Sequence, residues 1–190
     1  MPKRSKKNEL INEKESKRAK SASTSTASSS NEPNKQKLLL DKYKTKKEKL
    51  CFTEIKGDLF QCNQNISLAH CVSQDLKMGM GIAVEFKKQF KGTGELTDQN
   101  KEVGECAYLK RDSRYIFYLI TKKVYNHKPN YVVLEKCLKE LLELCKRFNI
   151  QELAMPRIGS GLDNLDWSIV SRIIDDVFEE SGIQIKIYYL

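Results

Sequence analysis

Two glycine-bearing turns, Met78-Gly79-Met80-Gly81-Ile82-Ala83 and Arg157-Ile158-Gly159-Ser160-Gly161-Leu162-Asp163, each run into a helical pattern. Glycine lets the backbone approach a ligand closely, and the unpaired N–H groups at a helix start attract phosphate oxygens. Two such turns at one end of a fold can grip a diphosphate. Neither matches the dinucleotide fingerprint or the GxxxxGK[ST] phosphate loop, and either alone also suits an ordinary helix entry. Together they favour a ligand, because open α/β sheets bind ligands beyond the carboxyl ends of their strands, where both turns fall.

Lys122 closes the strand-like run Tyr115-Ile116-Phe117-Tyr118-Leu119-Ile120-Thr121, so it also stands at a strand end. Most lysines there are simply solvated. An ammonium is not a nucleophile, so a covalent role requires Lys122 to lose its proton; desolvation and the like charge of Lys123 both favour that loss. Asp163 precedes the last helical pattern, where it is expected to act as N-cap with Asp166 in the first turn. Capping and proton transfer can coexist in one carboxylate. His70 and His127 each stand alone and are assigned no proton-transfer role.

These residues need a frame. Phe52–Lys56 and Ile66–Val72 read as strands, and Ile82, Ala83, Phe86 and Phe90 carry helical spacing. Cys106–Lys110 and Tyr115–Lys122 read as a hairpin around the polar run 111–114. Leu134, Leu138, Leu141, Cys145 and Phe148 mark one apolar helix face, and Leu165 to Phe178 a second, with Gly182 as its expected C-terminal cap. Leu153–Pro156 and Ile185–Leu190 are the remaining strands. The order β, β, α, β, β, α, β, α, β implies an α/β sandwich with a mixed sheet, since hairpin and crossover connections both occur.

The chain has 190 residues with a formal net charge of +9, and residues 1–50 hold 15 basic and 6 acidic side chains. The other 140 residues are therefore balanced, and the basic pI belongs to an arm rather than to a nucleic-acid-binding fold. Residues 1–50 contain no glycine, one aromatic residue, and a Ser21–Ser30 run with eight Ser or Thr. Such a segment buries too little apolar surface to offset its ordering entropy. We expect a disordered basic tail over 1–50 and one domain over 51–190. The clusters Lys3–Lys7 and Lys17–Lys20 suit a two-part nuclear import signal, with weak nucleic-acid contact as an addition. Lys42–Lys49 reads as a frayed helix leading in, with Leu38–Leu40 as a docking point. No run is long and apolar enough for a membrane span or signal peptide, so a soluble intracellular protein is expected. Six cysteines without a CxxC pair, and only two histidines, argue for free thiols and against a zinc site. No sustained heptads suggest a dimer, and a monomer is the default.

Gly57-Asp58-Leu59-Phe60, Ser67–Ser73, Met78–Ala83, Leu119–Lys123, His127-Lys128-Pro129 and Met155–Asp163 together resemble the macrodomain family, in its terminal ADP-ribose protein glycohydrolase (O-acetyl-ADP-ribose deacetylase) branch. The resemblance runs from Phe52 to Leu190; most other macrodomains carry an Asn-rich turn where this chain has Ala69-His70-Cys71. It implies a three-layer α/β/α sandwich that binds ADP-ribose. Asp58 and Leu59 would lie near the adenine, with Leu190 closing that side. Arg157, Ile158, Gly159, Ser160, Gly161 and Leu162 would surround the diphosphate and distal ribose. Ser73, Gly79 and Gly81 complete the expected contacts. Lys122 would be the nucleophile at the anomeric carbon, forming a lysyl adduct as an acyl-linked protein leaves, and Asp163 the general acid/base. No metal or cofactor is implied. A reader of ADP-ribosylated proteins and a nucleic-acid binder acting through the arm are the rival readings.

Overall fold

The computed structural model describes residues 32–45 and 51–190. Eleven elements follow one another: α1 (Glu32–Thr45), β1 (Phe52–Lys56), β2 (Ser67–Ser73), α2 (Ile82–Phe90), α3 (Thr93–Thr97), β3 (Cys106–Arg111), β4 (Arg114–Lys122), α4 (Tyr131–Arg147), β5 (Glu152–Pro156), α5 (Trp167–Phe178) and β6 (Gln184–Tyr189). A single 3₁₀ turn, Leu59–Gln61, follows β1.

The six strands form one mixed sheet in the order β1-β6-β5-β2-β4-β3. Every pairing is parallel except the β3–β4 hairpin. The five parallel strands therefore end along one edge of the sheet. Alternation along each strand feeds two cores. Ala69, Phe117, Leu119, Leu153, Met155 and Ile187 pack against α4 and α5. Leu68, Val72, Ile116, Ile120 and Ala154 pack with Phe86, Phe90 and Leu96 from α2 and α3. The result is a three-layer α/β/α sandwich, as the element order implies.

Four local features differ from the sequence reading. Residues 32–45, assigned to the tail, form α1. Tyr43 of α1 is fully buried, with Leu39 and Leu40 packed alongside it in the α4–α5 core. Its hydroxyl donates to Asp176 Oδ2 at 2.8 Å, which also receives Lys42 Nζ at 2.7 Å. One aromatic side chain, with a polar tip that finds a carboxylate, is enough to seat an otherwise polar helix. The basic clusters at residues 3–7 and 17–20 and the Ser/Thr run lie outside the described residues. The short α3 buries only Leu96, which leaves no periodicity to read. Helix α5 is capped by Asp166, whose side chain accepts from Ser168 N at 2.8 Å, so Asp163 sits in the preceding loop. Glu179 is its C-cap, and Gly182, at φ +71°, turns the chain into β6 instead.

Candidate active site

The carboxyl ends of the parallel strands converge on a cleft of about 1310 Å³. Asp58 and Leu59 follow β1; Ser73, Gly79 and Gly81 end or follow β2; Lys122 ends β4; Arg157 to Asp163 follow β5; and Leu190 follows β6. Every site residue expected from the sequence lines this one cleft.

Lys122 and Asp163, 41 residues apart in the chain, meet inside it. Lys122 Nζ donates to Asp163 Oδ1 at 2.5 Å, with side chains 14% and 12% exposed. The β2–β4 register slips between Val72 and Ser73, so Val72 faces Ile120 while Ser73 faces Lys122. Such irregularities re-aim a side chain at a sheet edge. Here the slip coincides with the strand end that presents Lys122 to the cleft. Gln74 N donates to Lys122 O at 2.9 Å and fixes that end. Asp163 is free for the lysine because Asp166 does the capping.

The turn carrying Asp163 is tightly self-bonded. Ser160 Oγ donates to Arg157 O at 2.7 Å, Leu165 N to Gly159 O at 2.8 Å, and Asn164 N to Gly161 O at 3.1 Å. Gly159 has φ +72°, and a Cβ there would lie 2.9 Å from Leu165 Cδ1. Only glycine meets both conditions without strain. The two glycine turns also touch: a Cβ on Gly81 would lie 3.3 Å from Leu162 Cδ1. The two turns thus lie side by side at the cleft, where an anion cradle needs its backbone groups.

The Arg157 side chain is committed elsewhere. Its Nε and Nη2 donate to Glu54 Oε1 and Oε2 at 3.0 and 3.1 Å, and Trp167 Nε1 donates to the same Oε1 at 3.0 Å. The guanidinium lies 4.2 Å from the Tyr189 ring centroid. Arg157 thus ties together the ends of β5 and β6, β1 and the start of α5. Glu54 and Trp167 were invisible as site residues, since their only signal is a contact over more than a hundred residues of sequence.

Cys71 also lines the cleft and was not singled out. Burial first, then the Asp163 charge, push its thiol well above the usual range, while Lys122 offsets this only in part. It stays a neutral neighbour of the lysine rather than a thiolate. Asp58 accepts from Phe60 N at 3.0 Å and caps the 3₁₀ turn, which holds Leu59 buried at the cleft wall. Ser73 donates to Asp75 Oδ1 at 2.5 Å, and that bond helps hold the Asp75 carboxyl below its usual range against a desolvation cost. No group of three or more metal-ligating side chains converges among the described residues.

A mixed sheet of this order, with a wide cleft at the carboxyl ends of its strands and opposed glycine turns, defines a known class. The family described as Macro domain matches residues 61–174, and the chain belongs to it, in the terminal ADP-ribose protein glycohydrolase branch. It is 54% identical over 138 residues to proteins named ADP-ribose glycohydrolase OARD1 in Bos taurus and Homo sapiens, covering 73% of this chain and 91% of each relative. It is 25% identical over 144 residues to a DNA ADP-ribosyl glycohydrolase of Thermus aquaticus, covering 70% of this chain and 40% of that protein. Among solved structures, the macrodomain of Thermus aquaticus DarG superposes with a TM-score of 0.66 at 23% identity, covering 73% of this chain and 98% of that one. That likeness shows the fold.

Proposed function

We propose that this protein is a hydrolase that removes mono-ADP-ribose from acyl-linked Glu or Asp sites of proteins and deacylates O-acetyl-ADP-ribose. The observation that carries this reading is the 2.5 Å contact between Lys122 Nζ and Asp163 Oδ1 inside the cleft. The opposed glycine turns orient the diphosphate and place the distal ribose at the lysine, which supplies the proximity part of catalysis. Asp163 takes a proton from Lys122. The neutral amine attacks the anomeric carbon, a C–N bond forms, the bond to the acyl oxygen breaks, the protein leaves as a carboxylate, and Asp163 gives its proton up to solvent. Water then attacks the same carbon and gives up a proton with Asp163 as base; the C–N bond breaks and the amine is regenerated. A carboxylate leaves more readily than an amide or guanidine nitrogen, which favours esters as substrates.

The names of the relatives support this reading, and the basic clusters at residues 3–7 and 17–20 support a nuclear location. The test follows free ADP-ribose released from a glutamate-ADP-ribosylated protein by wild type, Lys122→Ala and Asp163→Ala. Release by wild type that falls by about 10³-fold or more in Lys122→Ala, with ADP-ribose affinity kept within about threefold, is expected. Binding by wild type without any release would make the protein a reader.

A further inference from the structure

The cleft is rimmed by exposed apolar side chains. Met80, Ile82, Tyr125 and Leu162 are exposed and line it, and Val84 is exposed two residues beyond Ile82 on α2. Met80 and Leu162 are 61% and 60% exposed, on turns that touch each other. Contiguous exposed apolar side chains mark interaction surfaces. Two lysines lie beside them, Lys77 and Lys128, and both line the cleft. Both are exposed, and neither makes an ion pair with a carboxylate among the described residues, although Lys128 Nζ donates to Leu162 O at 3.3 Å. The acids that line or flank the cleft are engaged: Asp58 accepts from Phe60 N, and Glu85 accepts from Gln89 Nε2 at 2.8 Å with Lys88 at 3.9 Å. Asp163 holds Lys122, and Asp75 accepts from Ser73 Oγ and from the backbone N–H groups of Lys77 and Tyr125.

We propose that this apolar and basic rim docks the polypeptide around the modified site, selecting acidic segments that also carry apolar residues. This inference rests on the proposed hydrolase activity and names its substrate class. A protein leaving from the sugar carbon at Lys122 passes the rim that carries Lys77 and Lys128, so carboxylates flanking the modified residue meet ammonium groups that no carboxylate pairs in direct contact. The exposed apolar side chains of Met80 and Val84 give neighbouring apolar residues a seat. A nucleic acid fits less well. Tyr125 is the exposed aromatic of the rim, and Lys77 Nζ already sits 3.7 Å over its ring, on a face that a stacked base would need.

The experiment compares three substrates of the full chain: ADP-ribose esterified to a glutamate in an acidic, apolar peptide, the same peptide with its flanking acids changed to Gln and Asn, and O-acetyl-ADP-ribose. Wild type is expected to release ADP-ribose from the acidic peptide about tenfold faster, in kcat/KM, than from the neutral one, an advantage that shrinks as salt rises from about 0.05 to about 0.3 M. Lys77→Glu should cut that advantage to below about threefold and leave turnover of O-acetyl-ADP-ribose within about twofold. Equal rates on both peptides, or a parallel loss on all three substrates, would overturn the proposal while leaving the hydrolase intact. With an ADP-ribosylated oligonucleotide added as a fourth substrate, a loss confined to it would overturn the proposal in favour of nucleic acid. If wild type turns over nothing, the hydrolase reading fails, and docking is judged by affinity: the acidic ADP-ribosyl peptide must bind at least about fivefold tighter than free ADP-ribose.

Discussion

Arg157 gives both ends of its guanidinium fork to Glu54, at 3.0 and 3.1 Å, and so serves the cleft as a brace rather than as a cation aimed at phosphate. The pair is partly exposed, 36% and 32%, so its worth lies in geometry more than in stability. Its partners set where the Arg157–Asp163 turn leaves β5.

Glu54→Ala is accordingly expected to lower kcat/KM by about tenfold, since small misplacements of a reacting group are costly. Its melting temperature should fall by less than about 3 °C, in keeping with a loss near 1 kcal/mol. Arg157→Lys should not rescue the geometry, because an ammonium cannot make the fork. Steady-state kinetics alongside thermal melts separate the two effects.

Gly159→Ala should be harmful despite its small size. A positive φ of +72° costs an L-residue about 1–2 kcal/mol, and Leu165 must also move away from the new methyl. Calorimetric titration with ADP-ribose is expected to show weakened binding, with Lys122 and Asp163 untouched.

Tyr43→Ala should destabilise the domain by about 3–5 kcal/mol, the range for removing a buried aromatic. Tyr43→Phe should cost only about 1 kcal/mol, for the bond to Asp176. A chain starting at residue 51 should melt well below one starting at residue 32, and equal melting temperatures would refute a structural role for α1.

His70 is fully buried, stacked on Phe86 at 3.8 Å, with neither ring nitrogen hydrogen-bonded. Burial depresses its pKa from 6.5 to about 3. Between those values the unfolded chain holds a proton that the folded one lacks. Stability therefore falls by about 1.4 kcal/mol per pH unit as pH drops below about 6.5, and this group adds no slope above it. Denaturant unfolding at pH 7 and pH 5 should show a smaller acid loss in His70→Leu than in wild type.

The strands, α2, α4, α5 and both glycine turns were legible because each carries a local pattern: alternation, 3.6-residue spacing, or glycine before a helix. Lys122 and Asp163 were legible as strand-end and helix-entry residues, and family resemblance gave them roles. Their contact was not legible, since it depends on strand order β5-β2-β4 and on the slip at Val72 and Ser73. Helix α1 was legible only in part: Leu38–Leu40 were read as a docking point and Leu39 and Leu40 do pack, but the helix was placed at Lys42–Lys49 because the buried Tyr43 needs a groove made by α4 and α5. The Arg157–Glu54 pair was hidden for a related reason: β1 and β5 come together only through β6.

Helix α1 is seated on α4 and α5, and none of its residues lines the cleft. The start of α1 is thus an attachment point that takes no part in the reacting edge. Fusion partners, affinity handles or a different leading sequence should be interchangeable there, provided the anchor tyrosine is retained.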